Sequence, residues 1–240
     1  MKRPVIFAGA AVALAVIAVA VVAGIWLLRS DDPNLLTEAP AIPTAGASGA
    51  DVSPTTVPAS SLPAGVRRFV VASGESSAKY VVEETLRGLA ATAVGTTTDV
   101  TGEIYLTKDG LYKDLPSKFR VDLRTLKTDE SMRDNYVRQN VLRTSQFPFA
   151  EFVVESVTGF PAGYTEGGEI SLTLKGTMTI KGKSNPMTFT VKARQAGNTL
   201  TATADTQFNM TDFGIDPPEV VVAKAKDAVI LQVVLIAREA

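Results

Sequence analysis

Ile170-Ser171-Leu172-Thr173-Leu174-Lys175-Gly176-Thr177-Met178-Thr179-Ile180-Lys181 decides the fold. Ile170, Leu172, Leu174, Met178 and Ile180 share one side of a two-residue period, and the polar residues between them share the other. Successive side chains of a strand point to opposite faces, so this stretch makes a strand with one dry and one wet face. The pattern repeats outward. Phe119, Val121 and Leu123 alternate with polar residues, as do Val100, Ile104 and Leu106 upstream. Downstream, Met187, Phe189, Val191 and Ala193 form one such set, and Leu200, Ala202, Ala204, Phe208 and Met210 form another. Lys108-Asp109-Gly110, residues 161–168, residues 182–186 and Gly197-Asn198 carry the turn residues between them. Residues 228–237 are apolar on both faces apart from Gln232, which suits a strand covered on its second face as well. Residues 131–142 alone read as a helix, with Asp129 as its cap and Met132, Tyr136, Val137 and Val141 as a weak apolar stripe. Residues 67–240 are therefore expected to form an all-β domain of about eight antiparallel strands and one main helix. Closure into a barrel removes its edges and leaves room for side chains or one slender ligand.

Upstream the composition changes twice. Residues 4–28 carry no charge and are almost wholly apolar. As a helix at about 1.5 Å per residue they would reach roughly 37 Å, enough to cross a ~30 Å hydrocarbon core. A cleavable signal peptide is the rival reading, with Ala18-Val19-Ala20 as a small-x-small site, but the apolar run continues through Leu28. Residues 1–29 are thus expected to be a single transmembrane anchor. Lys2 and Arg3 precede the span and Asp31 and Asp32 follow it, which favours a domain on the extracytoplasmic side of the cell membrane. Residues 30–66 are rich in Pro, Ser, Thr and Ala and show no apolar periodicity, so they are expected to be a disordered linker.

Composition excludes more than it proposes. The 240 residues contain no cysteine and no histidine, which removes disulfides, thiolate chemistry, imidazole bases and most zinc sites. With 24 basic against 25 acidic residues, a basic nucleic-acid binder is not expected. Ser76-Ser77-Ala78-Lys79 matches Ser-x-x-Lys without a companion motif. Asp212, Asp216 and Glu219 could coordinate a hard cation, although Pro217-Pro218 between them reads as a rigid loop. Neither cofactor nor resident metal is expected, and the chain reads as a non-enzyme.

Several stretches in order resemble the YceI-like domain family. They are Tyr80-Val81-Val82-Glu83-Glu84 with Ala93 to Thr97, and Val121-Asp122-Leu123 with Arg133-Asp134 and Phe147-Pro148. Leu174 to Gly182 follows, and then Phe208-Asn209-Met210-Thr211-Asp212-Phe213-Gly214. The resemblance covers the domain and neither upstream segment. It implies a lipocalin-like antiparallel barrel that binds polyisoprenoids. The chain departs from the usual family pattern in retaining its apolar run and in lacking a histidine near the first strands.

An amphiphile site needs an apolar bore and few polar groups. Phe119, Val121, Phe147, Phe152, Leu174, Met178, Ile180, Met187, Phe189, Phe208, Met210 and Phe213 are the candidates for it. The same residues also read as ordinary core. Arg133, Asp134 and Tyr136 are candidates for a headgroup, although Arg133-Asp134 reads first as a salt bridge or helix cap. The expected function is a membrane-tethered binding protein for an isoprenoid or similar long-chain amphiphile. Its partners would be that ligand and the membrane, with a homodimer or an envelope protein left open. The alternative is a non-catalytic structural or interaction domain of the cell envelope with a filled core.

Overall fold

The computed structural model describes residues 35–43, 62–161 and 163–240. Among these described residues twelve strands form one antiparallel sheet. The first six are β1 (Arg67–Val71), β2 (Ser77–Leu86), β3 (Leu89–Thr97), β4 (Val100–Thr107), β5 (Gly110–Leu111) and β6 (Lys118–Asp122). After helix α1 (Ser131–Tyr136) come β7 (Phe149–Thr158), β8 (Ile170–Ile180), β9 (Lys183–Ala196), β10 (Thr199–Asn209), β11 (Glu219–Val220) and β12 (Ala223–Glu239).

Eight strands close a ring in the order β1-β4-β6-β7-β8-β9-β10-β12, because β12 returns to pair with β1. The seam is short: Phe69, Val70 and Val71 face Glu239, Arg238 and Ala237. Two ion pairs flank it, Arg67 to Glu239 at 2.7 Å and Arg238 to Glu75 at 2.7 Å. Further along, β12 leaves β1 and pairs instead with β2, which carries β3 beyond it. A register shift between Ala225 and Val229 bends β12 at this point, as bulges do. The ring is therefore tight at one end and opens into the β2–β3 hairpin at the other.

Helix α1 lies over that opening. Its N-cap is Glu130, whose carboxylate accepts from the Met132 N–H, and not Asp129 as the sequence suggests. Asp129 instead pairs with Arg133 one turn on. The helix ends early as α-helix, since Val137–Val141 widens into a π-turn. The turn expected over 182–186 shrinks to Lys181 and Gly182, both at positive φ, between Ile180 and Lys183. Pro186 lies inside β9 because β10 pairs only with Thr190–Ala196, leaving that part of β9 free of a second neighbour.

The apolar run at 4–28 lies outside the described residues, and among those described no helix is long and apolar enough to cross a membrane. The linker expected over 30–66 is described only in part, and one piece of it packs. Ala39 is buried, its N–H donates to Glu169 at 3.1 Å, and the Thr201 and Thr203 hydroxyls donate to the Pro40 and Glu38 carbonyls at 2.7 and 2.8 Å. Polar Thr side chains on the outer face of β10 thus hold this strap through its backbone.

Candidate functional site

The barrel interior divides in two. At the seam end Phe69, Val71, Ile104, Val154, Val191, Leu200 and Ala237 fill it with buried side chains. Toward the helix a cavity of about 1010 Å³ remains, the upper end of the range for small-molecule pockets. Its walls alternate large and small residues. Phe119, Phe152, Phe189 and Phe208 project inward, yet eight alanines also line it, among them Ala78, Ala91 and Ala93 on β2–β3, Ala150 on β7 and Ala204 on β10. Where an alanine faces the lumen, nothing reaches the middle. The void follows from that choice.

Nine of the twelve sequence candidates line this cavity: Phe119, Val121, Phe152, Leu174, Met178, Ile180, Phe189, Phe208 and Met210. Phe152 and Phe189 meet edge to face with centroids 4.9 Å apart, which stiffens one wall. Three candidates lie elsewhere. Met187 and Phe213 are core, Phe213 packing edge to face behind Phe208 at 5.2 Å. Phe147 covers the β8–β9 turn, its ring where a Cβ on Gly182 would lie 2.9 Å away.

Of the headgroup candidates, Arg133 and Tyr136 stand at the mouth and Asp134 does not. Asp134 is buried on the other side of the helix, where it accepts from the Thr128 N–H at 2.8 Å and hydroxyl at 2.7 Å. Its role is to fasten the loop before α1. Arg133 bridges two carboxylates, Glu84 on β2 at 3.0 Å and Asp129. That bridge ties the helix to the barrel wall.

Other sequence candidates resolve into structural roles. Ser76 is fully buried, and its hydroxyl exchanges hydrogen bonds with the Ile236 backbone. Asp212 closes a capping box with Asn209, and Glu219 pairs with Lys224. Among the described residues no group of three or more carboxylates gathers as a metal site.

The sequence reading expected a strand over 228–237 but did not place it, Tyr80 or the mouth in the cavity wall. Tyr80 lines the cavity, and burial pushes its phenol up to about 12. Val229, Leu231, Val233 and Leu235 supply the inner face of β12; the odd positions around Gln232 carried that signal. Leu86, Leu89, Val220 and Val222 rim the opening. The charged lining residues balance, with Lys79, Arg87 and Arg133 against Glu84, Asp129 and Glu130.

A family model for the YceI-like domain matches residues 69–237. The chain belongs to the YceI-like family. Solved structures agree on the fold. A polyisoprenoid-binding domain from Saccharophagus degradans, implicated in plant cell wall breakdown, superposes with a TM-score of 0.56 at 12% identity, over 72% of this chain and 98% of that one. BcnA of Burkholderia cenocepacia gives 0.55 at 18% identity, over 69% and 98%. The Campylobacter jejuni YceI protein gives 0.50 at 14%, over 61% and 84%. No curated protein matches the chain. In this YceI-like domain the eight-stranded ring is closed, and its open half encloses the cavity, walled chiefly by apolar side chains.

Proposed function

We propose that this YceI-like domain is a non-catalytic carrier of an isoprenoid or similar long-chain amphiphile, held in the cavity beneath α1. The observation that carries the reading is the void itself. A lumen of about 1010 Å³ walled by apolar residues is costly to leave open to water and well suited to a hydrocarbon chain. The polyisoprenoid-binding name of the Saccharophagus degradans relative supports that ligand class.

The polar groups fix the ligand's direction. The seam end is packed, so a chain enters tail first and leaves its head near Tyr80 and Arg133. Arg133 is already matched by two carboxylates, and the lining charges balance, so an uncharged or small polar head fits better than a bare multivalent anion. Residues 4–28 would tether the carrier to the membrane with the domain on the extracytoplasmic side, a reading supported by their length and apolar character.

The test is native mass spectrometry and solvent extraction of the protein from its own cells. A bound long-chain lipid, displaced in competition by an isoprenoid alcohol, is the expected result. A chain that is empty as isolated and takes up no long-chain lipid would leave the structural reading, an envelope interaction domain.

A further inference from the structure

Eight large hydrophobic side chains are exposed among the described residues, and seven of them belong to three elements around the cavity mouth. Leu86 and Leu89 flank the β2–β3 turn, Val221 and Val222 form the β11–β12 turn, and Val220 ends β11 beside it. Met132 and Tyr136 lie on α1. Val221 is wholly exposed, Met132 is 75% exposed and Leu89 is 73% exposed. The elements are locked to one another: the Arg87 N–H donates to the Val222 carbonyl at 2.7 Å, and Arg133 on the helix pairs with Glu84 on β2. Apolar tips held in one place, where seven of the eight exposed large hydrophobics among the described residues gather, mark an interaction surface.

We propose that this mouth is a membrane-docking surface that seats the two turns and α1 in the headgroup–acyl boundary of a lipid bilayer. The inference rests on the carrier reading and says how the ligand gets in. Apart from Val221 these rim residues also line the cavity, so apolar side chains continue from the outside into the bore. A hydrocarbon chain crossing that rim in water would be exposed; crossing it against a bilayer, it is not. The chemistry favours lipid over protein as the occupant. Valine and leucine predominate at the tips, and both are under-represented at the energetic centres of protein interfaces. The neighbouring charges are spent on each other, Lys224 with Glu219 and Lys226 with Glu83. Arg87, at the tip of the β2–β3 turn, is exposed and suits the headgroup layer.

The chain has no cysteine, so single labels can be placed cleanly. The full chain is reconstituted into phosphatidylcholine–phosphatidylglycerol vesicles with an environment-sensitive fluorophore on Val221→Cys. A second preparation carries it on Asn198→Cys, at the opposite end of β10 from the mouth. Both sites are exposed, so neither change disturbs packing. The expected result is a blue-shifted label at 221 quenched by lipid-borne quenchers, and a label at 198 quenched by aqueous iodide. Adding Leu89→Asp lowers lipid quenching at 221 roughly tenfold, the loss of one buried aliphatic side chain. The proposal is overturned if 221 stays aqueous, if both labels behave alike, or if shielding at 221 varies with protein-to-lipid ratio, which assigns the face to a second copy. Lipid occupancy is read on the same samples by native mass spectrometry. Insertion without uptake keeps the docking surface and removes the carrier reading; uptake without insertion does the reverse.

Discussion

The ring of Tyr80 lies across Gly95, its partner on β3, so closely that a Cβ there would sit 2.2 Å from the Tyr80 Cε1 atom. Glycine at 95 is what lets the phenol tip into the cavity wall. Gly95→Ala forces the ring off that position, and such overpacking costs about 1–3 kcal/mol. Urea unfolding of the variant should show a lower midpoint with an unchanged slope. An unchanged midpoint would mean that the ring moves freely.

Ala93 and Ala204 face the lumen, and each leaves space there that a larger side chain would occupy. Ala93→Leu with Ala204→Leu should fill part of the cavity, leave the circular dichroism spectrum native, and cut bound lipid per chain by tenfold or more. Full lipid loading of the double variant would place the ligand elsewhere.

Arg133 fastens α1 to Glu84, with both side chains largely shielded. Replacing one member of such a pair leaves the other charge poorly matched, a loss of about 1–3 kcal/mol. Glu84→Gln should therefore loosen the helix over the mouth and speed ligand release several-fold. Stopped-flow displacement of a fluorescent fatty acid analogue measures that rate.

Two acid-sensitive links guard the seam. Arg67 holds the Glu239 carboxyl below the ordinary glutamate range, and Arg238 does the same for Glu75. A carboxyl whose folded pKa is lowered stabilises the fold above its unfolded pKa and loses that contribution as pH falls through the folded one. Protection factors of the β1 amides, corrected for intrinsic exchange, should therefore fall below about pH 4, the unperturbed range for glutamate, before those of the rest of the barrel.

Asp205 behaves in the opposite sense. Burial raises its carboxyl, although the Gln232 amide donates to it at 2.7 Å. Its charge opposes folding above the ordinary aspartate range, and the penalty fades as pH falls. Asp205→Asn should raise the melting temperature at pH 7 and leave it nearly unchanged at pH 3.5.

Much of the barrel was legible because period-two alternation is a local signal. β8 and β10 begin and end close to where their apolar residues do, and Gly197-Asn198 forms the two-residue turn that its composition suggests. The cavity was partly legible: Phe119, Met178 and Phe208 face it because they share the dry faces. Its emptiness was not, since an alanine on a dry face reads alike whether it packs or leaves a gap. Phe213 and Phe147 were misplaced because they sit in turns, where no period says which way a ring points. Asp134 was legible as a structural group at the helix start, but its partner was not, because the chain does not show that Thr128 reaches back to it. The strap at Ala39 escaped for a related reason: its bonds use backbone atoms, which every sequence has.

The three-residue seam joins positions nearly a whole domain apart, Phe69–Val71 and 237–239. At a synthesis rate of roughly 5–20 residues per second, the second half of that joint follows the first by about ten to thirty seconds. Until β12 is made, β1 has no partner at the seam and the ring cannot close. The barrel becomes a vessel only once its late-arriving final strand meets its first.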